Sequence, residues 1–124
     1  MLARTFLWGP VLALMALIFF VSSLPSPPGV KLLPDWETHS LAYGVLALLL
    51  ARALAGGVRR TTVATLVMAG ALATVYGVTD EWHQMYVPQR NSEVRDVVND
   101  MIGAAVGAAL FGLLGRLRPV AGAA

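Results

Sequence analysis

The sequence has no cysteine. Disulfides, thiolate nucleophiles and cysteine-ligated zinc are therefore excluded, and nothing follows about compartment. Charge is scarce too. Asp, Glu, Lys and Arg make up 13% of the 124 residues against 57% hydrophobic ones, and the mean hydropathy is +0.70. A soluble domain of this size could not bury so many apolar side chains, and it would lack the polar residues to cover its surface. Lipid removes both difficulties, because it replaces water as the outer solvent. The net charge is +2 and the pI about 9.5, yet no stretch is basic enough to form a nucleic-acid groove or stripe. There is no internal repeat, and the length suits one domain over residues 1–124.

What the chain has instead is four apolar runs: Thr5 to Leu24, about Ser40 to Ala55, Thr61 to about Thr79, and about Val97 to Leu114. Each is near the roughly 17–25 residues that cross hydrocarbon as a helix. Without water to satisfy the backbone, each is expected to be α-helical. The fold class that follows is all-α, an integral membrane four-helix bundle. Pro25-Ser26-Pro27-Pro28-Gly29 stops the first span, Gly56-Gly57 with Arg59-Arg60 makes a basic turn, and Val87-Pro88 ends the helix after the third. Arg116 to Ala124 is a short basic tail. Arg4, the apolar run and Val21-Ser22-Ser23 also match a secretory signal with a small-residue cleavage site, although the run is long for one.

Charge is partitioned along this layout. Arg4, Arg52, Arg59, Arg60, Arg116 and Arg118 occupy the N-terminus, the second-to-third turn and the C-terminus. Asp35, Glu37, Asp80, Glu81, Glu93, Asp96 and Asp100 fall on the other side, accompanied by Lys31, Arg90 and Arg95. The positive-inside rule then places both termini in the cytoplasm of a plasma (inner) membrane, with the acidic side toward the periplasm or exterior. Trp36, Trp82 and Tyr86 fall on the acidic side, where amphipathic rings favour the headgroup layer.

At about 100° per residue, Tyr76, Asp80, His83 and Gln84 share one face of the third helix, with Glu81 beside it and Trp82 opposite. On the fourth, Asp96, Asn99, Asp100, Gly103 and Gly107 form one stripe. On the second, Asp35, His39 and Tyr43 recur at one-turn spacing. Gly103 and Gly107 make a GxxxG seam, and Gly70 and Gly77 offer small surfaces on the third helix, so the helices can approach closely. Close approach would bring the polar ends together above the seam. Taken singly these groups read as helix-packing polar pairs. His83 reads as a packing residue, Tyr43 and Tyr76 as helix–helix anchors, and Glu37 and Glu93 as solvated. Together they exceed what packing four short helices requires, and carboxylates at the edge of lipid ordinarily face a cavity or a partner.

The stretch Asp80-Glu81-Trp82-His83-Gln84-Met85-Tyr86-Val87-Pro88-Gln89-Arg90, followed by Asp96, Asn99 and Gly103, resembles the VanZ-like family, which carries D-E-x-x-Q-x-[FY]-x-P-x-R and then D-x-x-N-x-x-G. His39 and Tyr43 match its earlier H-x-x-x-Y. Two positions depart. The family often has Lys where Trp36 stands, and Gly where Gln89 stands, which implies a different turn before Arg90. The resemblance implies a membrane protein associated with resistance to the glycopeptide teicoplanin. It also implies action on phosphorylated or polyprenyl lipid headgroups.

The chemistry that fits such a substrate divides the residues by role. Arg90 can grip a phosphate with its guanidinium fork. His39 or His83 can transfer a proton. Asp80, Asp96 or Asp100 can orient the histidine or bind a divalent cation. Tyr43, Tyr76, Glu81, Gln84 and Asn99 complete the substrate contacts. The alternative is a non-catalytic pocket for a headgroup, a glycopeptide or a partner helix. A metal or proton site would draw on Asp80 and His83 with His39 and Asp100, but no recognised ligand spacing is present. A homo-oligomer is compatible with the sequence, and a pore from four short spans would require one.

Overall fold

The computed structural model describes residues 2–25, 35–90 and 92–118. Four helices follow one another: α1 (Leu2–Ser22), α2 (Asp35–Ala55), α3 (Val63–Gln84) and α4 (Val94–Leu117). Each is long and apolar enough to cross a membrane. Among the described residues there is no strand. The Ser26–Gly29 part of the expected break, Lys31, the Asp35 side chain and the tail beyond Arg118 lie outside the described residues.

The helices outrun the apolar runs at the polar end. α2 begins at Asp35 rather than Ser40, α3 continues past Thr79 to Gln84, and α4 begins at Val94 rather than Val97. Hydrophobicity marks the part of a helix that meets hydrocarbon, whereas backbone hydrogen bonding continues for a further turn. Those extra turns carry most of the polar residues. Thr62 caps α3, its hydroxyl accepting from the Thr65 amide at 3.2 Å. Gly56 and Gly57 turn the chain with φ of 76° and 130°, open to glycine at little cost.

α2 and α4 run together along the glycine seam. Gly103 lies against the Ser40 backbone and Gly107 against the Gly44 backbone, so closely that a Cβ at either would collide with a carbonyl group. Ser40 Oγ adds a bond to the Asn99 carbonyl at 3.1 Å. The seam therefore faces α2, while Gly70 and Gly77 face α4 from α3. Leu46, Ala47, Ala51, Ala69, Ala73, Ala104 and Phe111 fill the space between these three helices. Lipid is as apolar as leucine, so close van der Waals packing rather than water exclusion holds such a core.

α1 sits to the side and exposes Phe6, Leu12, Leu17, Phe19 and Phe20. Its attachment at the basic end has a local cause. Pro10 lies inside α1 and has no N–H, so the Phe6 carbonyl one turn earlier lacks its helical donor. Arg52 of α2 donates to that carbonyl at 3.2 Å, and its guanidinium lies 5.6 Å from the centre of the Phe6 ring. Trp36, Trp82 and Tyr86 are exposed at the opposite end.

Candidate functional site

The acidic end, where α1 and α3 finish and α2 and α4 begin, encloses a cavity of about 240 Å³. Leu14, Leu17, Ile18 and Val21 of α1 form an aliphatic wall. Polar groups converge from elsewhere: Ser22 from the end of α1, His39 and Tyr43 from α2, Asp80 and Gln84 from α3, and Arg90 from the connection that follows.

These groups are organised around two carboxylates. Asp80 is buried and accepts from Ser22 Oγ at 2.5 Å and from Gln84 Nε2 at 3.1 Å. Gln84 Nε2 also donates to Ser22 Oγ at 2.8 Å, closing a three-residue ring. Asp80 and Gln84 are one turn apart, which puts them on one face of α3. Asp100 of α4 is wholly buried and pairs through Oδ1 with His39 Nδ1 at 2.8 Å. Its Oδ2 is buried with no hydrogen-bond partner among the described residues. Gly77 makes room for it: a Cβ there would lie 2.7 Å from Asp100 Oδ2. Tyr43 is 1% exposed, and its hydroxyl lies near Asp80 but outside hydrogen-bond geometry.

Other expected site residues lie elsewhere. Tyr76 and His83, which share a face of α3 with Asp80 and Gln84, meet α1 as those two do, but at other points along it. The Tyr76 hydroxyl donates to the Met15 carbonyl at 2.7 Å. The His83 ring stacks on Phe19 with centroids 4.5 Å apart, and its Nε2 meets Ser23 Oγ at 2.9 Å. Arg90, expected to grip a phosphate, sends Nε to the Leu24 carbonyl at 3.0 Å and Nη2 to the Val21 carbonyl at 2.8 Å. The Val21 carbonyl also accepts from the Leu24 amide at 3.2 Å, so the guanidinium clasps the turn that follows α1. Asn99 engages through its backbone, and its side chain is half-buried. Glu81 is buried between α3 and the start of α4, accepting from Ser92 Oγ at 3.1 Å and the Glu93 amide at 3.3 Å. Glu37, expected in solvent, is half-buried in the first turn of α2, and Glu93 is exposed.

The set Asp80, His83, His39 and Asp100 is thus divided among separate contacts. His39, Glu81 and Asp96 are instead the described residues whose potential ligand atoms come within 4.8 Å of one another. Ser22, Ser23 and Ser92 are participants that sequence reasoning missed. Ser22-Ser23 reads as a helix end or cleavage site, and nothing local marks its partners as lying on α3.

The position that departs from the family pattern has a backbone consequence. Gln89 adopts φ 64°, the left-handed region that favours glycine. The turn before Arg90 takes a glycine-like conformation with a glutamine in it.

A family model described as VanZ/LLP1 matches residues 7–115. The chain belongs to that family. The match runs through all four helices and includes both carboxylate centres, so this VanZ/LLP1 member is a membrane protein with four candidate spans. No curated protein and no solved structure matches it.

Proposed function

We propose that this VanZ/LLP1 protein lies in the plasma membrane with both termini in the cytosol. We propose further that its cavity takes the phosphorylated headgroup of a lipid from the outer leaflet and acts on the phosphoester. Arginines at Arg4, Arg52, Arg59, Arg60, Arg116 and Arg118 support the orientation. The cavity carries the reading, because an aliphatic wall on α1 meets a polar floor from α2 and α3. An amphiphile matches that pairing. A soluble anion would gain nothing from Leu14, Leu17 and Ile18, and an acyl chain alone would strand Asp80 and Gln84 against hydrocarbon. Gln84 and Tyr43 would bind the headgroup, and His39, oriented by Asp100, would transfer a proton. A polyprenyl phosphate is a suitable substrate, which would connect the protein to glycopeptide susceptibility through the envelope.

A second reading, binding without turnover, is favoured by one observation: Nε and Nη2 of Arg90, expected to clamp a phosphate, are engaged by the Leu24 and Val21 carbonyls at the end of α1. One experiment separates the two. The purified full chain is incubated with polyprenyl phosphate and phosphatidate in mixed micelles, and headgroup release and lipid retention are both measured. Turnover lost in His39→Ala and Asp80→Asn supports the first reading. Saturable retention without turnover supports the second, and the absence of both outcomes rejects the cavity as a lipid site. Reporter fusions at the Gly56 turn test the orientation, which fails if that turn lies outside the cytosol.

A further inference from the structure

Glu81 presents an unmet requirement at the mouth of the bundle. It is 4% exposed, and although Oε2 accepts from Ser92 and Glu93, Oε1 is buried with no partner among the described residues. An acceptor in that state costs free energy unless something unseen satisfies it. Around it, α2 supplies His39 and the first turn of α4 supplies Asp96, and ligand atoms of the three side chains lie within 4.8 Å of one another.

Charge points the same way. Glu81, Asp96 and Asp100 surround a single imidazole. The nearby arginines are engaged: Arg95 pairs with Glu93 at 3.2 Å, and Arg90 holds the end of α1. Among the described residues no lysine or arginine forms an ion pair with Glu81, Asp96 or Asp100. Carboxylates gathered at a membrane edge call for compensation.

We propose that His39, Glu81 and Asp96 bind a divalent first-row cation, Zn2+ or Mn2+, with Asp100 holding the imidazole from behind. The donor set of one imidazole and two carboxylates suits these ions. His39 Nδ1 donates to the Asp100 carboxylate at 2.8 Å, which leaves Nε2 as the nitrogen for the metal. A carboxylate behind a ligating histidine is the usual way to fix the ring and strengthen it as a donor. Metal–ligand bonds of about 2.0–2.2 Å require the donor atoms to draw together by no more than about 1.5 Å. Three protein donors leave a position open for water or a substrate oxygen. His39 also lines the cavity, which puts the cation at its edge. The site shares His39 and Asp100 with the lipid reading, and with a cation bound the imidazole serves as a ligand and not as the proton carrier. Cation binding does not require a lipid, however, and survives if the lipid reading fails.

The test uses the full chain in detergent, stripped with a chelator and titrated with Mn2+ under electron paramagnetic resonance, with Zn2+ as competitor. The expected result is one saturable site per chain, displaced by Zn2+, with pulsed spectra showing nitrogen-14 coupling from a directly bound imidazole. Glu81→Gln and Asp96→Asn should weaken binding at least about tenfold. Asp100→Asn should weaken it roughly 10–100-fold by releasing the ring, while Glu93→Gln leaves it unchanged. Absence of saturable binding, a bound ion without nitrogen coupling, or full affinity in Glu81→Gln would overturn the proposal. The wild-type spectrum decides the matter even if a variant does not fold. Intact Mn2+ binding with no lipid retention would count against the lipid reading alone.

Discussion

The contact between α2 and α4 and the attachment of α1 are built by different means. Along α2 and α4, glycines remove side chains so that backbones touch, and Gly103 and Gly107 rest on Ser40 and Gly44. Along α1 there is no glycine seam. Arg52, Tyr76 and Arg90 instead donate hydrogen bonds to main-chain carbonyls at Phe6, Met15, Val21 and Leu24. Backbone contact leaves no room, whereas side-chain tethers leave a gap, and the cavity lies in that gap. α2, α3 and α4 form the fixed frame, and α1 is the wall hung on it.

Substitutions that separate the two kinds of contact rank as follows. Gly107→Leu drives a side chain into the Gly44 carbonyl and should destabilise the bundle by about 3 kcal/mol or more. Thermal unfolding in detergent would show it, and near-normal stability would mean that α2 and α4 are not locked by contact. Arg90→Ala removes the side-chain bonds to the Val21 and Leu24 carbonyls and should cost about 1–3 kcal/mol, with the loss concentrated in α1. Because the chain has no cysteine, a single cysteine placed at Ser23 reports the loosening by its labelling rate. Tyr76→Phe removes one bond to Met15 and should cost about 1 kcal/mol, with α2 and α4 unaffected in hydrogen exchange. Gln89→Gly relaxes the left-handed turn and should stabilise by roughly 0.5 kcal/mol, the relief of φ outweighing the added freedom of the unfolded chain. Destabilisation by Gln89→Gly would mean that the glutamine side chain holds the turn.

Parts of the site are legible in the sequence. Long apolar runs located all four helices, and the one-turn spacing of Asp80 with Gln84, His39 with Tyr43 and Asp96 with Asp100 anticipated shared faces. The spacing could not assign a partner to each face. A helical wheel puts Tyr76 and His83 beside Asp80 and Gln84, and all four meet α1 or its end, but a wheel has no neighbours and could not name Met15, Ser22 and Ser23 as the partners. Glu81, flanking that face, proved to be a buried carboxylate with an unmatched oxygen. Serines are too common to be informative, so Ser22 as the partner of Asp80 had no antecedent in the sequence.

Composition and periodicity alone settled that this chain is a bundle of membrane-spanning helices with its acids gathered at one end. Both depend on each residue's own affinity for lipid or water and on its place along a regular helix. That His39 meets Asp100 was decided by the packing of α2 against α4, and that Arg90 holds a helix end by the packing of α1 against the other three. Those pairings join residues about sixty positions apart along the chain. The rotation and separation of whole helices set them, and local spacing does not encode that rotation.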